Sequence, residues 1–458
     1  MADRKRIVLI GAGSAMFTQG LVADIILARK SWDLRLVDVD PRALAVAEGL
    51  ARRMVQAKEA DITITSSTDR RDLLPGADVV VSTIGVGGRR AWEADVVIPR
   101  KYGIFQPVGD TIMAGGISRA MRMVPAMVDI ANDVARLCPD ALFFNYANPM
   151  TVNCWAVRKA TKAKVIGLCI GTVHVVSELA TFAGLPPSEV SALAAGVNHF
   201  TWIYDLRWKG QDVWPIVRQK LAEERAKGGL GLEKDIAPGG DSTMADPGYR
   251  HVAYNQFSWS LFDDFGAYPA VNDRHVVEFF PERFPQGKYH GKTMGVDIMV
   301  IEDVIKWGDQ IYADMAAQAD GSKPLDERVF ERAAGEHSQL VEIIDGIATD
   351  NRANFYANLP NNGAIPNLPD DAILEMTAVA TARGLLPIQD PTYPDMLAAV
   401  QARKIVGERI TMEAALTGDR RLFVEALLAD GCISDRDAAS KLADELIAAQ
   451  KQYLPQFA

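Results

Sequence analysis

Cys169 closes the apolar run KVIGLC, and His199 follows 30 residues later in AGVNHFTW. A cysteine at the carboxyl end of a parallel strand would stand where α/β proteins bind their ligands. Two polar clusters precede the pair: Gly109-Asp110-Thr111, ahead of AGGISRAMR, and Asn145-Tyr146-Ala147-Asn148-Pro149-Met150. Each of these residues has a purely structural role open to it. Cys169 would serve as an inert buried thiol and His199 as a backbone-bonded core histidine. Asp110 would form an Asx turn or helix cap, and Asn148 a turn before Pro149. Cys138, Cys154 and Cys432 lack such polar company and read as structural.

A second site lies near the start of the chain. The run Arg6–Ile10 leads directly into Gly11-Ala12-Gly13-Ser14 and then a helical pattern. In such a strand–turn–helix, Gly11 permits the tight turn. Gly13, with Ser14 beside it, lets the backbone approach a pyrophosphate seated on the helix N-terminus. The next strand ends in Asp38, 25 residues beyond Gly13, where a carboxylate hydrogen-bonds a ribose 2′-hydroxyl. That carboxylate would repel a 2′-phosphate, so NAD is favoured over NADP. Met16 replaces the third glycine of the usual fingerprint, and a plain tight turn is the alternative. Gly85-Val86-Gly87-Gly88 forms either another wall of the same crevice or an ordinary loop.

The elements that must position these residues alternate between strand and helix patterns. Leu34–Asp38, Ile62–Thr65, Asp78–Ile84, Ala141–Asn145 and Lys164–Cys169 are continuous apolar runs, as expected of strands buried on both faces. Asp40-Pro41 provides an N-cap and a first-turn proline for a helix reaching about Ala60. The fold predicted is α/β, with an N-terminal Rossmann-like doubly wound parallel sheet of the lactate/malate dehydrogenase kind over 1–190. Beyond Pro186 the pattern changes. Ala192–Val197 and Phe200–Trp208 read as antiparallel strands, and Lys209-Gly210 reads as a turn. Leu221–Lys227 reads as a polar helix, Gly228–Pro247 as a Gly-rich loop and Gly295–Ala317 as a long helix. Asn354–Leu359 and Ala372–Thr377 read as strands, and the last 70 residues as helical. Residues 191–458 are therefore expected to form an α+β domain for substrate, metal and oligomerisation.

Composition narrows the function. The chain has 49 Lys+Arg against 59 Asp+Glu, a net charge of −10, which disfavours nucleic-acid and membrane-surface partners. No apolar run reaches the roughly 18 residues of a spanning helix. Four cysteines do not make a disulfide framework in a chain of this length, so a reducing cytoplasm is the expected location.

GAGSAMF, VGDT…GGISRAMR, NYANPM, GLC and GVNHFTW occur in this order, and Glu336-His337 leads on to DGIATDNRANFYANLPNNGAIPNLPDDAILEM. The ordered set resembles glycoside hydrolase family 4, the NAD- and divalent-metal-dependent glycosidases, over nearly the whole chain. FGAYPAVNDRHVVEFFP looks most like the branch acting on α-linked uronic acids. The resemblance implies hydrolysis of α-glycosides by transient oxidation at the sugar C3, deprotonation at C2, elimination and water addition. NAD and a divalent metal, usually Mn²⁺, are the implied cofactors, a small carbohydrate the substrate, and a homodimer or homotetramer the assembly. It implies Cys169 and His199 as metal ligands and Asp110 as the acid protonating the leaving oxygen. Asn148 would contact sugar or nicotinamide and Asn198 the substrate, with His275, Arg274 and Arg283 placed to bind an anionic group on it. The C2 base is expected after a Tyr/Pro pair: Asp273, with Tyr268 as the alternative. One departure stands out. Ile170 occupies a position that is polar in many members and tracks their specificity, and an aliphatic side chain cannot bond a sugar hydroxyl or a phosphate. A hydroxy-acid dehydrogenase of lactate/malate type and a non-catalytic NAD-sensing protein share the N-terminal pattern, and neither needs the Cys169–His199 pair.

Overall fold

A computed structural model describes residues 4–230, 252–330 and 339–457. Six parallel strands form the first half of the sheet: β1 (Lys5–Ile10), β2 (Trp32–Val37), β3 (Ile62–Ser67), β4 (Val79–Ser82), β5 (Leu142–Asn145) and β6 (Val165–Gly167). Their order is β3-β2-β1-β4-β5-β6, which puts the topological switch between β1 and β4. Ligands bind at such a switch, outside the carboxyl ends of the strands. All four residues of β4 are buried, because helices cover both faces of the sheet.

The helices of this half are α1 (Thr18–Leu27), α2 (Pro41–Ala57), α3 (Gly88–Arg100), α4 (Met113–Leu137), α5 (Met150–Ala160) and α6 (Gly171–Phe182). Asp40 caps α2 by accepting from the Arg42 N–H at 2.8 Å, and Pro41 starts the helix. Cys169 lies two residues beyond β6, in the turn that opens α6.

The sheet does not stop at β6. Its exposed edge would be a pairing liability, and β13 (Asn354–Pro360) covers it, antiparallel, at Gly167 and Asn358. From there the order continues through β14 (Ile373–Thr381), β7 (Val190–Val197), β8 (Phe200–Trp208) and β10 (Tyr268–Ala270), all antiparallel. The short β9 (Gln211–Asp212) and β15 (Gly384–Pro387) pair with β8 and β14. A separate hairpin joins β11 (Lys288–Tyr289) and β12 (Lys292–Thr293). The strands expected in a second domain thus continue the first domain's sheet, and one apolar core runs through both halves.

The remaining helices are α7 (Trp214–Ala226), α8 (Gln256–Phe265), α9 (Asp273–Val276), α10 (Ile301–Asp320), α11 (Leu340–Thr349), α12 (Asp395–Thr417), α13 (Arg420–Asp430) and α14 (Arg436–Gln450). The predicted start of α10 at Gly295 is corrected to Ile301. Gly295 has φ +72° and Val300 is extended, so neither continues a helix. α12 and α13 pack on α4, and α14 on α3, which returns the chain to the nucleotide side. The expected loop Gly228–Pro247 falls mostly outside the described residues, as do Glu336 and His337. Among the described residues no helix is long and apolar enough to cross a membrane.

Candidate active site

A cavity of about 780 Å³ opens at the carboxyl ends of β1, β4, β5 and β6 and runs to the β7–β8 turn. At one end the β1–α1 turn is built by close contacts. Gly11 has φ +90°, and a Cβ there would lie 2.8 Å from the Ile84 nitrogen. The N–H groups of Gly11 and Ala12 both donate to the Val37 carbonyl, at 2.9 and 3.0 Å. A Cβ on Gly13 would lie 2.5 Å from the Ala43 Cβ and 2.9 Å from Asp38 Oδ2. Gly13 is therefore required by its own neighbours as well as by any ligand. Asp38 accepts from the N–H groups of Gly13 (2.8 Å) and Asp40 (3.0 Å) and still lines the cavity. Ser14 Oγ accepts from the Met16 and Phe17 N–H groups, each at 3.3 Å.

At the other end, Asp110, His199 and His275 converge. Each offers a ligand atom within 4.8 Å of the others. Asp110 Oδ1 lies 3.8 Å from His199 Nδ1 and 4.0 Å from His275 Nδ1, and the two imidazole rings are 4.2 Å apart. His199 occupies the second position of the two-residue turn between Val197 and Phe200, with φ +65°. A left-handed backbone on a non-glycine residue costs on the order of 1 kcal/mol, and here it delivers the ring to the cavity. Thr111 Oγ1 bridges the group, 2.7 Å from Asp110 Oδ1 and 2.8 Å from His199 Nδ1. Asn148 Nδ2 donates to Asp110 Oδ2 at 2.8 Å, and Asn148 Oδ1 is buried with no hydrogen-bond partner among the described residues.

Burial pushes the Asp110 carboxyl up, but His199, His275, Arg119 and the Thr111 hydroxyl outweigh it and hold it below the usual range. Burial pushes His199 down against the pull of Asp110, and pushes His275 further down, with the His199 charge adding to it. His275 Nδ1 is buried with no hydrogen-bond partner among the described residues. A neutral imidazole nitrogen in that state beside a carboxylate suits a cation. Cys169 lines the same cavity, and its sulfur accepts from the Gly171 N–H at 3.3 Å. Among the described residues it does not belong to the cluster of three ligand-bearing residues, Asp110, His199 and His275.

Four residues expected at the site are elsewhere. Asp273 is fully buried, and its carboxylate accepts from the Phe257 N–H (2.7 Å), the Ser258 N–H (2.8 Å), Ser258 Oγ (2.7 Å) and the Tyr289 hydroxyl. It anchors the N-terminus of α8. Residues two apart on a helix point about 200° apart, so α9 turns Asp273 into the core while His275 faces the cavity. Tyr268 is buried on β10 with its ring 4.7 Å from that of Trp259, away from the cavity. Arg283 is partly exposed, paired with Asp264 at 3.2 Å and lying over Phe280. Asn198 is buried beside His199, where its Nδ2 donates to Glu375 Oε2 at 2.7 Å. Asp273→Ala is expected to lower stability by about 2–4 kcal/mol, because it strands several buried donors at once. Denaturant unfolding measures that loss. Asp273→Asn should retain most of the wild-type kcat, and abolished turnover in a folded Asp273→Asn protein would return this residue to the chemistry.

Two residues at the site escaped sequence reasoning, Arg119 and Glu278. Arg119 lines the cavity from α4 and donates through Nε to the Asn148 carbonyl at 3.0 Å. It was in view within AGGISRAMR, without a spacing signal to single it out. Arg274, expected beside His275 as a contact for an anionic group on the substrate, joins it on the cavity wall. Glu278 is buried, and its Oε1 accepts from the Val108 (2.7 Å) and Gly109 (2.8 Å) N–H groups, holding the loop that carries Asp110. Its spacing of three from His275 was the available signal.

A dinucleotide-shaped strand–turn–helix joined to a carboxylate–histidine cluster defines a cofactor-dependent enzyme of Rossmann-like fold. The sequence profile of the family 4 glycosyl hydrolases matches residues 6–185, and that of the family 4 C-terminal domain matches residues 194–433. This chain belongs to family 4 of the glycosyl hydrolases. It is 31% identical to an α-galactosidase of Rhizobium meliloti (strain 1021), over 99% of this chain and 90% of that protein. It is 30% identical to an α-galacturonidase of Thermoanaerobacterium saccharolyticum, over 98% of this chain and 96% of that one. Its fold is like that of a 6-phospho-α-glucosidase from gut microorganisms, crystallised with NAD and Mn²⁺. The TM-score is 0.83 at 17% identity, covering 99% of this chain and 100% of that one.

Proposed function

We propose that this protein hydrolyses α-linked hexosides and hexuronides with NAD and a divalent metal, Mn²⁺ foremost, as cofactors. One observation carries the reading above the others. A single cavity joins the Gly11–Asp38 end, whose glycine turn matches a dinucleotide, to the Asp110–His199–His275 end, whose donors match a cation. The names of the relatives support α-linked substrates. Arg119 and Arg274 on the cavity wall support a sugar bearing a carboxylate. Bound there, the two cofactors supply reversible hydride removal at the sugar C3 and polarisation of the resulting carbonyl.

The chain's own residues do the rest. Asp38 orients the dinucleotide through its ribose, and the Gly11–Gly13 turn brings backbone against the pyrophosphate. His199 and His275 hold the metal, with Cys169 as a further ligand from the cavity wall. Asn148 offers its unpaired Oδ1 to a sugar hydroxyl or the nicotinamide amide. Asp110 carries the proton to the leaving oxygen. Neither Asp273 nor Tyr268 is retained as the C2 base. A panel of α- and β-linked p-nitrophenyl hexosides and uronides, assayed with NAD⁺ and Mn²⁺, tests the substrate class. Cleavage of β-linked members alone would overturn it.

The depressed Asp110 carboxyl and its approach to both histidines favour a second reading, in which Asp110 is a metal ligand. One variant separates the two. Asp110→Asn is expected to keep its metal and lose more activity on an alkyl glycoside than on a nitrophenyl one, by a factor of about 10²–10⁴. A good leaving group needs little protonation. Loss of bound metal, with both substrates affected alike, would move Asp110 into the ligand set.

A further inference from the structure

Segment 450–457 reaches the nucleotide cavity from the far end of the sequence. Tyr453 lines that cavity beside the Gly85–Gly88 loop. Its ring packs directly on Gly87. A Cβ there would lie 2.8 Å from Tyr453 Cε2, and Gly87 has φ +76° as the N-cap of α3. Both the loop and the segment are held by one buried network. Arg122 donates through Nε to the Val86 carbonyl at 2.8 Å and grips Asp95 with two nitrogens at 2.9 and 2.6 Å. Gln450 Nε2 donates to Asp95 Oδ1 at 3.2 Å and to the Ala91 carbonyl at 2.8 Å. Beyond the tyrosine, Leu454 is buried and Gln456 Nε2 donates to the Met121 carbonyl at 2.6 Å. Tyr453 is thus fixed on both sides, in register with the loop against which it packs.

We propose that Tyr453 is a cofactor-contacting residue, its ring completing the dinucleotide site on the wall made by the loop after β4. The proposal rests on the reading of this cavity as a dinucleotide site. The chemistry is general. A pre-positioned aromatic ring offers stacking and apolar contact to the flat rings and ribose of a dinucleotide, at little entropic cost. A residue outside the strand–turn–helix pattern would then share in setting affinity for the cofactor.

NAD⁺ binding to the full-length protein, followed by quenching of the fluorescence of the cavity tryptophans Trp92 and Trp307, tests this without turnover. Tyr453→Ala is expected to raise the Kd for NAD⁺ about 10-fold. Tyr453→Leu, which keeps apolar packing on Gly87 without the ring, should raise it by about 5-fold or more. Tyr453→Phe should stay within about 2-fold of wild type. If Tyr453→Ala fails to fold, the Leu and Phe variants decide. A Tyr453→Leu protein that binds NAD⁺ as tightly as wild type overturns the proposal and leaves the dinucleotide site standing. A wild-type protein that does not bind NAD⁺ overturns the dinucleotide reading itself.

Discussion

Removal of divalent metal by chelation is expected to take turnover to background, and Mn²⁺ to restore it in the wild type but not in His199→Ala. A metal that polarises a carbonyl contributes several kcal/mol to the transition state, which amounts to roughly 10³-fold or more in rate. His199 is the variant of choice because it belongs to every arrangement of ligands the site permits. It lies 3.8 Å from Asp110, its ring is 4.2 Å from that of His275, and it lines the cavity with Cys169. Thr111 Oγ1 lies 2.8 Å from His199 Nδ1, which leaves Nε2 for other partners. Cys169→Ser provides the companion measurement, since a hydroxyl is a far poorer anionic ligand than a thiolate. Metal content measured beside kcat separates lost binding from lost chemistry. Full activity and full metal content in His199→Ala would remove the metal from this end of the cavity.

Turnover without NAD⁺ is expected to vanish, while turnover with it produces no net NADH. In D₂O the released sugar should carry deuterium at C2. All three outcomes would follow from oxidation at C3 as the first step, because the adjacent proton would then have to leave and return. Two carboxyl groups working by direct displacement would need no dinucleotide and would leave C2 untouched. The structure weakens that alternative independently, since the carboxylate of Asp273 is spent on the N-terminus of α8. Stripping the dinucleotide should cost at least about 10³-fold, the hydride acceptor being a reactant in the step. Mass spectrometry of the product reads the label. A product free of C2 deuterium would exclude this order of events. Net NADH formation with a 2-hydroxy acid would instead favour a conventional dehydrogenase.

Local pattern alone determined a good deal about this protein. The strands of the parallel half, the glycine turn after β1, Asp38 at the end of β2 and the Asp40 cap of α2 all obey short-range rules. Continuous apolar runs, a tight turn and a capping carboxylate need no knowledge of distant residues. The family membership was likewise legible, because its motifs are contiguous in the chain. Only the tertiary structure decided which side chains meet. Asp110, His199 and His275 come from a loop, a hairpin turn and a short helix, brought together by a sheet that runs on past β6. Asp273, expected as the C2 base, and His275, expected at the substrate, stand two residues apart, yet the twist of one helical turn sends the first to the core and the second to the cavity. Tyr453 carried no signal, since its place depends on α14 packing back against α3 across the whole length of the chain. Spacing within an element is a local property, whereas the direction of a side chain toward a shared cavity is set by how the elements pack.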